Sequence, residues 1–310
     1  MDALAHEQFV SLERNHWWFR GRRAVCGALV RHALRDAQPE AILDIGSGSG
    51  GFLDLLRSTG VEPTAIEWDL DACRRARTRV DGPAGQVGPG GVLSGSAERL
   101  PFADAAFDLV TMFDVLEHLK DPQAAAREAW RVLKPGGALL VHVPAHPWLF
   151  AENDRVAGHH RRYTRAELRR TLRGAGLTAE RVAWSNVLLF PLIAPLVLAL
   201  GWAERVGLRP EGRTNLSVDP PRWVHALLAS LYGLEARWVA RFDLWPGHSL
   251  AAIARRPLAA TPALDEEDAP NRPTISRPRA GRSNPSPRPH PSGILRRPAP
   301  LPPLRPSSER

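Results

Sequence analysis

Short apolar runs and amphipathic stretches take turns along residues 41–184. The apolar runs predict strands at residues 41–45, 63–67, 91–95, 107–113, 138–143 and 177–184. The stretches around them predict helices at residues 7–34, 51–58, 71–80, 122–133 and 164–175. Strands that alternate with helices indicate an α/β fold whose mostly parallel sheet is covered on both faces. In such a sheet, ligands bind beyond the carboxyl ends of the strands.

Turn and capping residues support these boundaries. Residues 81–91 are rich in glycine and proline and predict a loop. The sequence Lys134-Pro135-Gly136-Gly137 is expected to stop the helix at 122–133. Thr164 and Glu167 have the spacing of a capping box, which predicts the start of the helix at 164–175.

Residues 186–241 form a hydrophobic insertion before the last predicted strand, which covers residues 248–254. No charged residue occurs between Arg181 and Glu204, so the first apolar run approaches the length of a membrane span. Pro191 and Pro195 are nevertheless expected to break a helix there. A second helix is predicted over residues 222–241. The pair could cap an apolar acceptor, contact a membrane surface or form a dimer interface. Flanking tryptophans and arginines favour a cap that also contacts the membrane surface.

Composition changes this picture mainly at the end of the chain. Residues 257–310 carry nine arginines against five acidic residues, which is half of the net charge of +8. This segment also holds about half of the prolines and predicts a disordered tail without a specific nucleic-acid partner. Only two cysteines, far apart in sequence, indicate neither a disulfide framework nor a zinc site. Residues 1–7 lack the basic start and apolar run of a secretory signal, so a reducing, cytoplasmic setting is expected.

A glycine-rich turn follows the first predicted strand of the sheet. Residues 46–51 read Gly-Ser-Gly-Ser-Gly-Gly, and Glu67 ends the next strand. Glycines let the backbone turn tightly and approach a ligand closely. An acid at the end of the second strand is the usual partner of ribose hydroxyls. These features predict an adenosine-containing cofactor. Gly46, Gly48 and Gly51 also satisfy the dinucleotide pattern, so this turn alone leaves a nicotinamide cofactor open.

Further motifs narrow the choice of cofactor. They are Gly95-Ser-Ala-Glu-Arg-Leu-Pro-Phe102, Phe107-Asp-Leu-Val110 and Leu133-Lys-Pro-Gly-Gly137. With the glycine turn, they resemble the class I S-adenosylmethionine-dependent methyltransferases over residues 38–184. The segments His16–Arg20 and Gly158–Thr164 resemble one branch of that family. The resemblance implies a Rossmann-like, doubly wound, mostly parallel seven-stranded sheet. Its last strand would be antiparallel, at the sheet edge, with the hydrophobic helical insertion before it.

The resemblance also implies cofactor contacts. Asp44 would hold the glycine loop, or the amino group of the cofactor through water. Glu67 would accept both ribose hydroxyls, because a carboxylate has acceptor sites to spare. Trp68 would lie against the adenine, although a lone tryptophan could equally belong to the core. The full set of expected cofactor residues is Asp44, Gly46, Ser47, Gly48, Gly50, Glu67, Trp68, Ser96, Ala97, Phe113 and Asp114. Many relatives carry Asp at the position of Ser96, and a neutral hydroxyl would bond the adenine amino group more weakly.

Candidate catalytic residues follow the fourth and fifth strands. Glu117 and His118 stand where an acceptor should meet the methyl group, and His160 and Tyr163 lie in the following long loop. His118 could instead cap or pack the following helix, and Arg161 and Arg162 beside His160 and Tyr163 could form only a solvated face. We predict no metal, because no spacing here requires one, although this cluster of His and Glu could also bind a divalent ion. The aromatic residues 17–19 could form a lid over the cofactor or pack on the sheet edge.

These observations predict one methyltransferase domain at residues 1–256. It would contain an N-terminal helical lid at 1–37 and the insertion at 186–241, with a disordered tail at 257–310. The expected reaction is in-line methyl transfer from S-adenosyl-L-methionine to a small-molecule or lipid-like acceptor, at the inner face of a membrane. The alternatives are a nucleotide-dependent oxidoreductase and a non-catalytic methyltransferase-like protein at the membrane surface.

Overall fold

The computed structural model describes residues 16–80, 91–206, 220–243 and 245–258. These all belong to a compact unit that spans Met1–Leu264. The start of the helix expected at 7–34, the loop expected at 81–90 and the tail beyond residue 258 lie outside the described residues.

Seven strands form one sheet in the order β3-β2-β1-β4-β5-β7-β6. They are β1 (Ile42–Ile45), β2 (Thr64–Glu67), β3 (Val92–Ser94), β4 (Phe107–Phe113), β5 (Leu133–Pro144), β6 (Thr178–Ser185) and β7 (Ser249–Arg255). Strands β1 to β5 pair in parallel, and β7 runs antiparallel to both of its neighbours. The doubly wound sheet with an antiparallel last strand is therefore confirmed.

The position predicted for the last strand is wrong. Strand β7 lies between β5 and β6 rather than at the edge, and it pairs with both along its whole length. Its first six residues are all buried, whereas the first four residues of β6 are exposed or half-buried. A strand covered on both faces reads as a continuous apolar run, and an edge strand does not. Strand β6 is thus the edge of the sheet.

The helices predicted at 51–58, 71–80, 122–133 and 164–175 are found within a few residues, the helix predicted at 222–241 ends at Leu234, and a short helix at Glu152–Ala157 was not predicted. The helices are α1 (Trp17–Ala33), α2 (Leu53–Arg57), α3 (Leu70–Val80), α4 (Pro122–Val132), α5 (Glu152–Ala157), α6 (Arg165–Gly174), α7 (Phe190–Arg205) and α8 (Arg222–Leu234). The capping box of α6 is present: Glu167 N donates to Thr164 Oγ1 over 3.2 Å, and Thr164 N donates to Glu167 Oε2 over 2.8 Å. These bonds satisfy backbone N–H groups that the first helical turn leaves without partners.

The insertion corrects a second expectation, because α7 continues through both prolines. Pro191 lies in the first turn, where a backbone N–H has no helical acceptor. Pro195 lies one turn later and removes a single intrahelical bond. Among the described residues, no helix has the length and apolar character that crossing a bilayer requires.

Helix α8 packs on α1 and belongs to the core. A Cβ built at Gly21 of α1 would overlap the ring of Tyr232, a fully buried residue of α8. Tyr232 joins a buried cluster with Leu29 of α1 and with residues of β1, β4, β5 and β7. The second helix of the insertion is therefore required to cover one face of the sheet, whereas α7 contributes mainly half-buried and exposed side chains.

Candidate active site

A cavity of about 1210 Å³ opens beyond the carboxyl ends of the parallel strands. Its wall includes the glycine turn after β1, the end of β2, the turn after β4 and the loop after β5. Helices α1 and α7 close it from the other side. This is where ligands bind in a doubly wound sheet, and the cavity is large enough for a cofactor and a second molecule.

The glycine turn forms the floor at one end of the cavity. Gly46, Gly48 and Gly50 have φ angles of 69°, 55° and 86°, a region that side-chain-bearing residues rarely adopt. A Cβ on Gly46 would also lie 2.6 Å from Val115 Cγ2. Gly46, Ser47 and Gly48 line the cavity, whereas Gly50, which was also predicted to contact the cofactor, does not.

Glu67 joins the glycine turn to the end of β2. Its Oε2 accepts from Gly48 N over 2.8 Å, and its Oε1 accepts from Asp69 N over 2.9 Å. Each oxygen keeps a second lone pair, so the carboxylate is fixed in orientation while it can still accept from ribose hydroxyls. Trp68 is 77% exposed at the cavity wall, which excludes the alternative that it belongs to the core.

Ser96 and Ala97 line the same end of the cavity as Glu67. Ser96 Oγ accepts from Glu98 N over 3.1 Å, which fixes this short turn after β3. The structure thus brings together the predicted nucleoside contacts from three loops, although their individual roles stay predictions.

Asp44 differs from its expected placement, because it does not line the cavity. It is buried, and its Oδ1 accepts from Thr111 Oγ1 over 2.6 Å. Its Oδ2 has no hydrogen-bond partner among the described residues. Burial raises the pKa of Asp44 to about 7, against the opposing effect of the Thr111 hydrogen bond. No described hydrogen bond joins its carboxylate to the glycine turn.

Arg22 of α1 is a cavity residue that the sequence analysis missed. Its guanidinium lies over the rings of Trp18, Phe19 and Phe52 at 4.5, 5.1 and 4.9 Å from their centroids. It also forms an ion pair with Asp114, the predicted cofactor residue after β4. The sequence did contain a signal for this contact. Trp18 and Phe19 precede Arg22 by four and three residues, which places the two rings and the guanidinium on one helical face.

Asp114 is itself held in an unusual conformation. Its φ is 57°, which is uncommon for a residue other than glycine. Its Oδ1 lies 2.7 Å from His142 Nδ1, and burial lowers the pKa of His142 to about 3. Phe113 precedes it and packs against Phe52 with a centroid distance of 4.8 Å. These contacts fix Phe113 and Asp114, for which the sequence predicts a place beside the methionine of the cofactor, with the aromatic residues of α1 next to them.

The part of the cavity formed by the turn after β4 and the loop after β5 contains two buried acids, Glu117 and Asp154, and two half-buried histidines, His118 and His159. Burial raises the pKa of Glu117 to about 8, and burial together with the nearby His159 lowers the pKa of His118 to about 4. Asp154, from α5, binds His159 and Arg162 through distances of 2.8 and 2.9 Å. Burial alone would raise the pKa of Asp154, but these hydrogen bonds and the charge of Arg162 lower it to about 2.

The remaining two predicted catalytic residues have different positions. His160 is exposed at the cavity wall, and its backbone N donates to the Glu117 carbonyl oxygen over 2.7 Å. Tyr163 does not line the cavity: it is 3% exposed, and its hydroxyl donates to the Leu116 carbonyl oxygen over 3.1 Å. Burial raises the pKa of Tyr163. Its expected position at the acceptor is therefore wrong, and it has a core position instead.

Helix α7 forms an apolar wall opposite the glycine turn. The side chains that line the cavity here are Leu192, Ile193, Leu196, Val197 and Leu200, with Leu228 from α8. Leu192 and Leu196 are also 65% and 52% exposed. The cavity is therefore lined by polar residues from the segments after β4 and β5 and by apolar residues from the insertion.

Comparison with known proteins indicates that the cofactor is S-adenosylmethionine. Residues 43–141 match the family model described as a methyltransferase domain. A Mycolicibacterium smegmatis protein, named as a probable S-adenosylmethionine-dependent methyltransferase, is 33% identical over 260 residues, which cover 79% of this chain and 91% of the relative. A Renibacterium salmoninarum protein named demethylmenaquinone methyltransferase is 31% identical over 122 residues, which cover 38% of this chain and 47% of the relative.

A solved structure supports the same fold. An S-adenosylmethionine-dependent methyltransferase from Thermotoga maritima has a TM-score of 0.50 and 19% identity, over 81% of this chain and 97% of its own. The order of strands and the position of the cavity agree with the motifs of residues 46–137. The oxidoreductase alternative is therefore set aside, and the chain belongs to the S-adenosylmethionine-dependent methyltransferases.

Proposed function

We propose that this methyltransferase acts on an apolar, lipid-like acceptor that reaches the cavity across α7. The observation that carries the proposal is that Leu192 and Leu196 line the cavity and are at the same time 65% and 52% exposed to solvent. An acceptor with an apolar tail could keep that tail against the α7 wall while its polar group lies near Glu117, His118 and His160.

Methyl transfer from a sulfonium is an in-line displacement with an activated donor, so the protein contributes mainly alignment. In this proposal Glu67 holds the ribose, Trp68 covers the adenine, and Phe113 and Asp114 border the methionine. Glu117 and His118 contact the polar group of the acceptor, and His160, which is open to water, takes its proton. The relative named demethylmenaquinone methyltransferase supports including a demethylmenaquinone among the acceptors to be tested.

The acceptor class can be tested with a series of 4-alkylphenols of increasing chain length. Each methylene buried against α7 should improve the dissociation constant by about 0.8 kcal/mol, roughly fourfold, measured by calorimetry in the presence of S-adenosylhomocysteine. Leu196→Gln should reduce this increment. Leu258→Gln is the matched control, because Leu258 is 85% exposed and does not line the cavity. An affinity that does not change with chain length would reject an apolar acceptor.

We also propose that the outer face of α7 and α8 contacts the inner, cytoplasmic face of the membrane. These two helices expose Leu192, Leu196, Leu198, Trp202, Trp223 and Leu227, each at least half exposed. Exposed apolar side chains with tryptophan among them are typical of interfacial helices.

Co-sedimentation with vesicles that contain phosphatidylglycerol tests the membrane contact. We expect the full chain to bind and the Leu192→Gln/Leu196→Gln variant to bind at least roughly tenfold more weakly, since two apolar side chains would no longer insert. Leu258→Gln should sediment like the unmodified protein. These point variants are preferable to removing residues 186–241, because Tyr232 of that segment is part of the core. Equal sedimentation of all three proteins would contradict the proposal.

A further inference from the structure

Three potential ligand side chains converge at the polar end of the cavity. Glu117 and His118 come from the short 3-10 turn after β4, and His159 follows α5. One ligand atom from each lies within 4.8 Å of the others. The rings of His118 and His159 meet edge to face with their centroids 4.7 Å apart. All three residues line the cavity, so an ion between them would be accessible to a bound molecule.

The carboxylate of Glu117 is the observation that points to a ligand. Glu117 is 0% exposed, and neither of its side-chain oxygens has a hydrogen-bond partner among the described residues. Buried carboxylates are ordinarily paired with a cation or saturated with hydrogen bonds, because desolvation of an unpaired charge is costly. A cation between Glu117 and the two imidazoles would supply what this group lacks.

The hydrogen bond of His159 orients its ring as a ligand. His159 Nδ1 lies 2.8 Å from Asp154 Oδ1, and Arg162 Nε donates to both oxygens of the same carboxylate over 2.9 and 3.0 Å. With Asp154 ionised, Nδ1 of His159 is the donor, which leaves the lone pair on Nε2. A carboxylate that orients a metal-binding histidine in this way is a usual outer-shell arrangement.

We propose that Glu117, His118 and His159 form a binding site for a divalent transition-metal ion, with Asp154 as the outer-shell residue that orients His159. Two imidazoles and one carboxylate favour Zn²⁺, Co²⁺ or Mn²⁺ over Mg²⁺ or Ca²⁺, which prefer all-oxygen ligands. Three protein ligands leave coordination positions toward the cavity. If the proposed function is correct, a lone pair of the acceptor's polar group would occupy one of them and be fixed in front of the methyl donor.

Metal binding can be tested independently of methyl transfer. Untagged full-length protein, stripped with a chelator and dialysed, is titrated with Co²⁺, whose visible absorption reports coordination by nitrogen and carboxylate, and then with Zn²⁺ in competition. We expect one equivalent of Co²⁺ to bind and Zn²⁺ to displace it. Glu117→Gln and His118→Gln should each weaken binding by roughly a hundredfold or more, since outer-shell changes alone commonly cost 10- to 100-fold. Glu117→Gln keeps the size and shape of a fully buried side chain, so this variant is expected to fold.

His160→Gln is the matched control, because His160 lies in the same loop but outside the three-residue cluster. It should bind Co²⁺ like the unmodified protein. The proposal is overturned if the protein takes up no Co²⁺ or Zn²⁺ at saturation, or if the two ligand variants bind the ions as tightly as the control. Binding of S-adenosylhomocysteine, measured on the same preparations, separates this result from the proposed function. Its retention without metal uptake would reject the metal site alone.

Discussion

Replacing Glu67 with alanine should lower the affinity for S-adenosylhomocysteine by about 1.5–3 kcal/mol, roughly 10- to 150-fold in the dissociation constant. The carboxylate is fixed by the backbone N–H groups of Gly48 and Asp69 and keeps lone pairs for the two ribose hydroxyls. The substitution removes these acceptors and also frees the glycine turn that the same carboxylate holds. Isothermal titration calorimetry on both proteins measures the change.

Two variants define how the Glu67 result is interpreted. Glu67→Gln keeps one acceptor oxygen and should lose less affinity than Glu67→Ala. Glu62→Ala is the control for removing a nearby carboxylate, because Glu62 binds Arg57 and does not line the cavity. It should bind the ligand unchanged. If Glu67→Ala also retains full affinity, the ribose contact has been assigned to the wrong residue.

Replacing Arg22 with alanine should lower the free energy of unfolding by about 3–5 kcal/mol, because it leaves the buried side of Asp114 without its cation. The guanidinium is largely buried among Trp18, Phe19 and Phe52, so the substitution also removes packing between α1 and the cavity wall. Urea unfolding followed by circular dichroism measures the effect. The same variant should weaken cofactor binding, since we propose that Asp114 borders the methionine of the cofactor.

Arg35→Ala provides the comparison for this buried pair. Arg35 binds Asp36 on the surface, where the two side chains are 62% and 82% exposed. Exposed pairs of this kind contribute little to stability, so Arg35→Ala should unfold almost like the unmodified protein. The double variant Arg22→Met/Asp114→Asn removes both charges and should recover part of the stability that Arg22→Ala loses. An Arg22→Ala protein as stable as Arg35→Ala would show that the pair does not hold α1 in place.

The fold could be predicted where a local pattern determines the structure. The strand at Phe107–Phe113 and the capping box of Thr164 and Glu167 are found where the sequence predicts them. The two errors concern effects that a local pattern does not contain. Pro195 is tolerated because it costs α7 only one hydrogen bond. The place of β7 depends on which two strands it pairs with, and only its unbroken apolar character indicated an interior position.

Cavity residues could be predicted where a short sequence motif lies directly after a strand, as for the glycine turn and Glu67. Contacts between distant segments were missed for the opposite reason. Strands β1 to β4 lie between Arg22 and Asp114 in the sequence, and nothing in either segment alone specifies that the two residues pair. Tyr163 shows the reverse error, because it lies three residues from His160 and yet its hydroxyl faces the Leu116 backbone in the core. Side-chain direction within a loop depends on packing that sequence spacing does not reveal.

The interior position of β7 has a consequence for synthesis of the chain on the ribosome. Strands β5 and β6 both pair with β7, which is translated only after the whole insertion. Until residues 249–255 emerge, each of these strands presents an unpaired backbone edge, the feature that promotes association between nascent chains. The earlier strands can assemble during translation, but the second half of the sheet must wait for residues 249–255, and only their pairing removes the exposed edges of β5 and β6.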